Sequence, residues 1–115
     1  MEILISPNSF KGTFSSIDAC NIIAEGILNY DSKIKVKKLP IADGGDGTLE
    51  IFKYYFDYEL IKERSVNSLG KEIESEYIII EKGKTAIIEF ANTCGLAKVD
   101  FNKLDLNISN SFGFG

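Results

Sequence analysis

Short apolar runs alternate with amphipathic segments in the first half of the chain, and this alternation limits the possible folds most strongly. Residues 2–6 form the first apolar run, which predicts a buried strand that ends at Pro7. An amphipathic helix is expected to follow from Ser15 or Ser16, because Ser15 and Asp18 have the spacing of a capping box. The helical period places these residues on its predicted buried face: Ile17, Cys20, Ile23, Ala24, Ile27 and Leu28.

The same order of elements then begins again. Ile34, Val36 and Leu39 indicate a second strand, which Pro40 closes, and a second helix is predicted from Thr48. Two strands joined through a helix are expected to pair in parallel with a right-handed crossover. The first half of the chain therefore predicts a parallel strand-helix-strand nucleus.

The second half of the chain has a different sequence pattern, which is mostly that of extended segments. Extended segments are predicted over residues 59–66, 72–81 and 84–90, with a hairpin turn at 81–84. Residues 91–95 indicate a turn or a single helical turn, and the pattern is weak from Val99 onward. The predicted class is α/β, a parallel nucleus with added antiparallel strands, and residues 1–115 are assigned to one domain.

Composition and charge exclude several classes of partner. The chain is 44% hydrophobic and 26% charged, close to the average of soluble domains. Its net charge is −4, and its basic residues are interleaved with acidic ones, which argues against nucleic acid. Its apolar runs are shorter than the ~20 residues of a membrane span, and its N-terminus is unlike a signal peptide. Cys20 and Cys94 are expected to be free thiols, so a cytoplasmic protein is predicted.

The absence of histidine restricts the chemistry. Ser-His and Cys-His nucleophiles, imidazole bases and His-ligated zinc are all excluded. Any reaction must use carboxylates, lysines, hydroxyls, backbone amides or a hard metal ion.

The first predicted loop, residues 7–15, leaves the carboxyl end of a strand and enters a helix. Ligands bind at that edge of open α/β sheets, and free amides at a helix N-terminus attract anions. Lys11 adds a positive charge, and Ser9 and Thr13 add hydroxyls. On this loop alone, a capped turn with a solvated lysine is the favoured interpretation.

The second predicted loop, residues 42–47, holds three glycines in four positions: Gly44, Gly45 and Gly47. Glycine loses much conformational entropy on folding, so this density favours a backbone that closely approaches a ligand over a flexible connector. Asp43 and Asp46 offer carboxylates to a hydroxyl proton or a hard cation. Both loops are expected to open at the same sheet edge.

Four stretches, in order, resemble signatures of the glycerate kinase family. The family usually has Pro-Asp-Ser-Phe-Lys-Gly where this chain has residues 7–12, and Ala-Asp-Gly-Gly-Glu-Gly-Thr where it has residues 42–48. Residues 86–96 resemble an apolar strand ending in Glu-Met-Ala and leading to Gly-Leu. Residues 111–115 resemble a Thr/Ser-Tyr-Gly-x-Gly segment. The ordered set is much more specific than any one stretch.

The resemblance implies transfer of the ATP γ-phosphoryl group to a hydroxyl of glycerate, with Mg²⁺, by a longer two-domain enzyme. By position, Lys11 and Asp43 are the expected catalytic residues, and Asp43 is a candidate Mg²⁺ ligand. Lys11 is expected to stabilise a substrate carboxylate or phosphoryl oxygens, and Asp43 to orient the hydroxyl or hold magnesium. The residues expected to bind substrate are Ser9, Lys11, Gly44, Gly45, Gly47 and Glu89.

Two substitutions and the length depart from the family pattern. Asn8 stands in place of aspartate and Asp46 in place of glutamate, and the later glycine-rich segment expected to bind phosphate is absent. The fold is therefore expected to be a truncated, partial domain that is inactive alone and completed by a longer chain or a second chain. Two alternatives stay open: a non-catalytic module that binds small carboxylates or phosphates, and the poorly folding product of a truncated reading frame.

Overall fold

The computed structural model describes all 115 residues, which form two compact units, Met1–Ile51 and Phe52–Gly115. The first unit contains β1 (Glu2–Ile5), α1 (Ser16–Tyr30) and β2 (Lys35–Lys38). α2 (Thr48–Tyr55) runs through the boundary between the units. The assignment of residues 1–115 to one domain stays a prediction.

The first unit has the predicted parallel nucleus. β1 pairs with β2 in parallel, and the register runs from Glu2 opposite Lys35 to Ile5 opposite Lys38. α1 starts as predicted: the Asp18 backbone N–H donates to Ser15 Oγ at 3.1 Å, and that hydroxyl donates to Asp18 Oδ2 at 2.7 Å. The first bond satisfies a backbone donor that a helix start otherwise leaves unpaired, and the second orients the two side chains.

Small side chains form the buried face of α1, which matches the prediction at Cys20 and Ala24 but not at the large apolar residues. Ser16, Ala19, Cys20 and Ala24 are buried, whereas Ile23 and Leu28 are 40% and 42% exposed. Residues four apart lie on one face of a helix, and small residues on that face allow the helix to approach the strands closely. Cys20 and Ala24 of this face form one cluster with Ile5, against which Ile3, Val36 and Ile27 of the helix itself are packed.

The first strand is covered on one face only, although its apolar run predicts burial on both faces. Ile5 is buried and Ile3 is half-buried against α1, while Leu4 points the other way and is 57% exposed. Side chains alternate across a strand, so a single helix can cover only every second residue.

The second unit is an antiparallel sheet followed by short helical turns. Its strands are β3 (Glu59–Val66), β4 (Glu72–Ile80) and β5 (Thr85–Ile87), in the order β3-β4-β5. The first two match the predicted extended segments closely. β5 is shorter than predicted because Phe90 adopts helical φ and ψ angles immediately before α3 (Ala91–Cys94). The α/β class with a parallel nucleus and added antiparallel strands is confirmed.

The region after α3 contains only short 3-10 helices and turns, at Leu96–Lys98 and Phe101–Lys103 among others. The weak sequence pattern from Val99 onward is consistent with this. None of the helices combines the length and the apolar character that a membrane crossing requires.

Candidate functional site

The two loops predicted to carry chemistry leave the same edge of the parallel pair. β1 and β2 are parallel neighbours, so their carboxyl ends lie side by side and each is followed by one loop. The pairing continues beyond the strands, since the Leu39 backbone N–H donates to the Ile5 carbonyl at 2.8 Å. The expectation that both loops open at one sheet edge is confirmed.

Ser16 joins the starts of the two loops. Its side chain is buried, and its Oγ donates to the Pro7 carbonyl at 2.6 Å and accepts from the Ile41 N–H at 3.0 Å. In the sequence, Ser16 was recognisable only as a possible helix cap. Its position on the buried face of α1, four residues before Cys20, was the signal that could have identified it.

A side-chain hydrogen bond also links the loops. Asn8 Nδ2 donates to Asp43 Oδ2 at 2.9 Å, and Asn8 Oδ1 accepts from the Ser9 backbone N–H at 2.8 Å. The other carboxylate oxygen, Asp43 Oδ1, accepts from the Gly45 N–H at 3.0 Å. Both oxygens of Asp43 therefore have fixed donors.

These donors favour the ionised form of Asp43. The Gly45 N–H and the Asn8 amide hold the pKa of the Asp43 carboxyl below its usual value, and the positive charge of Lys11 lowers it further. Lys11 forms no ion pair with Asp43, but its charge is close enough to act on the carboxylate. A carboxylate that is ionised at neutral pH thus lies in the field of a lysine.

Lys11 lies in an exposed turn of the first loop. The Phe10 N–H donates to the Phe14 carbonyl at 2.9 Å, and the Phe14 N–H donates back to the Phe10 carbonyl at 3.1 Å. Gly12 occupies the left-handed region in this turn, with φ of 75°. Ser9 is half-buried at the base of the loop.

The glycines of the second loop allow backbone conformations and close contacts that other residues would disfavour. Gly44 has φ of 93°, which residues with a Cβ rarely adopt. A Cβ atom at Gly45 would lie 3.2 Å from Asp43 Oδ1, so glycine there leaves room for the carboxylate. Gly47 has φ of 87°, and the Thr48 hydroxyl donates to the Gly45 carbonyl at 2.8 Å. Binding of substrate by these glycines stays a prediction.

Glu89 belongs to the second unit. It is buried just before α3, and its carbonyl accepts from the Asn92 N–H at 3.0 Å. Its role in substrate binding also stays a prediction.

The residues present fit a Mg²⁺ ion that is bound mainly by water and substrate. The structure contains no cluster of three or more acidic, histidine or cysteine side chains that could hold a metal ion. Mg²⁺ is commonly bound through one or two carboxylates together with water and substrate phosphates. Asp43 is therefore suited to an ion that arrives with a nucleotide, and less suited to a resident ion.

Comparisons with known proteins agree on one family. This chain is 31% identical to the glycerate kinase of Bacillus subtilis (strain 168) and 30% identical to the glycerate 2-kinase of Escherichia coli (strain K12), in both cases over its whole length. It spans about 30% of the length of those relatives. A solved structure of a candidate glycerate kinase 2 from Salmonella typhimurium LT2 matches 98% of this chain and 30% of its own, with 28% identity and a TM-score of 0.71.

The match extends well beyond the two loops. The model of the glycerate kinase family matches residues 3–115, which include both units and every stretch that resembled the family in sequence. The partial coverage of the relatives agrees with the expected partial domain. This chain, with its paired loops at the edge of a parallel nucleus, belongs to the glycerate kinase family.

Proposed function

We propose that this chain supplies one side of a site that transfers the γ-phosphoryl group of ATP to a hydroxyl of glycerate. The observation that carries the proposal is the junction of the two loops, where Asn8 and the Gly45 N–H hold the Asp43 carboxylate and, with a smaller effect from Lys11, lower its pKa. Membership of the glycerate kinase family supports the same substrate.

The chemistry requires positioned charge more than covalent participation by the protein. The attacking hydroxyl oxygen bonds to the γ-phosphorus while the bond from that phosphorus to the β–γ bridging oxygen breaks and ADP leaves. Asp43 either orients this hydroxyl and accepts its proton or holds Mg²⁺. Lys11 stabilises the substrate carboxylate or the phosphoryl oxygens. Mg²⁺, when bound, neutralises charge on the phosphates.

Glycerate is an anion, whereas the chain carries a net charge of −4, so binding must depend on local positive charge. Lys11 is exposed and forms no ion pair, which leaves its ammonium available for an anionic ligand. We further propose that Ser9, Gly44, Gly45, Gly47 and Glu89 contribute to binding, and that the protein works in the cytoplasm. The two free cysteines agree with a reducing compartment.

The proposed activity belongs to a larger assembly, either a longer polypeptide or a pair of chains. The chain spans about 30% of its relatives, so we expect the 115 residues alone to bind ligand without turnover. That behaviour would equally suit a binding module, and this second candidate function is favoured by the fact that both loops are complete within the chain.

Titration of the ¹⁵N-labelled chain with glycerate, phosphate and ADP tests the proposal. We expect glycerate to shift the amide resonances of residues 9–12 and 44–47, and Lys11→Ala to abolish the shifts. Lys33→Ala is the matched control, because Lys33 is an exposed lysine in the same unit but lies in neither loop. No response to any of the three ligands would contradict binding at this site. Phosphorylation of glycerate by the isolated chain would contradict the need for a larger assembly.

A further inference from the structure

The side chain of Asn8 is held at both of its polar atoms. Its Oδ1 accepts from the neighbouring Ser9 N–H at 2.8 Å, which fixes the amide plane, and its Nδ2 donates to Asp43 Oδ2 at 2.9 Å. The two bonded side chains are 35 positions apart in the sequence and belong to different loops. Asn8 is half-buried, whereas Asp43 is exposed. The first loop therefore holds the carboxylate of the second.

We infer that Asn8 is a positioning residue, whose uncharged amide holds the Asp43 carboxylate against the first loop so that the two loops stay together without a cation between them. The inference rests on the proposed function only in the role that the proposed function gives to Asp43. The contact itself is independent of any substrate.

The amide group is what makes this contact possible without a metal. A carboxylate at position 8 would lie within hydrogen-bonding distance of Asp43, and two like charges that close repel each other unless a proton or a cation lies between them. Asparagine removes that repulsion and adds a donor. It also leaves the site with one negative charge fewer than two aspartates would give, which reduces the repulsion of an anionic substrate.

The test compares N8D and N8A by ¹H–¹⁵N NMR of the full chain, without glycerate or nucleotide. In N8D, we expect the Ser9 and Gly45 amide resonances to move from their wild-type positions in metal-free buffer and to return when Mg²⁺ is added. In N8A, we expect them to move and not to return, because no second carboxylate is present to share a cation. A purely structural role would give no such difference in the response to Mg²⁺.

Asn21→Asp is the matched control. It adds the same charge to the first unit, but Asn21 Oδ1 accepts from the Lys38 ammonium at 2.8 Å, so the new carboxylate would meet a positive partner. We expect its spectrum to show no displacement of Ser9 and Gly45 and no response to Mg²⁺ at those residues.

Unchanged Ser9 and Gly45 resonances in N8A would overturn the inference, as would an N8D spectrum that Mg²⁺ does not move. Asp43→Asn gives a reciprocal measurement if either Asn8 variant fails to fold: the side-chain NH₂ signals of Asn8 should shift, and their constancy would also overturn it. Failure of the wild-type chain to bind glycerate would remove the proposed function and leave this inference standing.

Discussion

Ser16 contributes to the site although it is not positioned to react. Its buried hydroxyl satisfies one partly buried backbone group at the start of each loop, the Pro7 carbonyl and the Ile41 N–H. Buried backbone groups that lose their partners cost free energy comparable to their desolvation. The Ser16 hydroxyl therefore helps to fix the spacing of the two loops, together with the Asn8–Asp43 hydrogen bond.

We expect Ser16→Ala to lower the free energy of unfolding by about 1 to 3 kcal/mol, the cost of leaving buried polar groups unpaired. The lower end is favoured, because the Ile41 N–H also lies 3.4 Å from the Pro7 carbonyl and can still use it. Urea unfolding measures the change. Ser32→Ala, at an exposed serine, is the control and should have almost no effect. Equal stability of the two variants would show that the hydroxyl is dispensable.

The sequence predicted that the two loops open at the same edge of the sheet, but not how they are joined. Lys11 and Asp43 were identified because their residue types and glycine-rich surroundings are local features. The bonds made by Asn8 and Ser16 were missed, because they depend on the alignment of β1 with β2 and on the rotation of α1, which arise only when the unit folds. Asn8 was noted in the sequence only as a departure from the family pattern.

At the scale of elements, the β3–β4 hairpin shows which of several neighbouring charged residues form ion pairs. The register places Lys62 opposite Glu76, but Glu76 forms an ion pair with Lys53. Lys62 instead reaches diagonally to Glu74, at 2.8 Å from Nζ to Oε1. Diagonal neighbours on one face of an antiparallel pair are within reach of long side chains.

We expect the Lys62–Glu74 pair to lose its contribution to stability at both low and high pH. The bond from Lys62 lowers the pKa of Glu74, so the stabilisation is present above the unfolded pKa of Glu74 and is lost as pH falls through its folded value. The same bond raises the pKa of Lys62, so the stabilisation is complete below its unfolded pKa and is lost as pH rises through its folded value.

Thermal unfolding of Glu74→Gln against pH measures this dependence. The variant should be slightly less stable than wild type near neutral pH, and the two should converge in acid. The difference should be small, since both side chains are exposed to solvent and exposed pairs contribute little. Glu72→Gln, on the same strand and outside any ion pair, should show no pH-dependent difference. A Glu74→Gln curve parallel to wild type at every pH would show that the pair makes no contribution.

The same scale shows where periodicity misled the prediction. The bounds of β3 and β4 and the hairpin turn at 81–84 were predictable, because alternation and turn residues are local. The buried face of α1 was predicted only in part. Cys20 and Ala24 are buried as expected, but close approach to the strands also selected the small Ala19, which the prediction had passed over in favour of larger apolar residues. Helical spacing identifies the sides of a helix, but neighbouring elements decide which side is covered.

At the scale of the whole molecule, much apolar surface remains in contact with water. Beside α1, an apolar groove with a volume of about 240 Å³ is lined by Phe10, Thr13, Phe14, Ala19, Ile22 and Ile23. Within it, Phe10 is 54% exposed and Ile22 is 49% exposed. A chain of this size buries a modest core, so exposed apolar area of this kind weighs heavily on its solubility.

We expect the wild-type chain to bind the dye ANS, and Ile22→Lys to reduce the fluorescence without loss of helical circular dichroism, because the charge disrupts the groove and Ile22 is not part of the core. Asn29→Lys is the matched control: it adds the same charge to an exposed position of α1 outside the groove and should leave the fluorescence unchanged. If Ile22→Lys bound as much dye as Asn29→Lys, the apolar surface that binds the dye would have to lie outside this groove.

Ile5→Ala should have the opposite effect on dye binding. It should lose about 2 to 5 kcal/mol of stability by opening a cavity in the core, and it should increase dye binding.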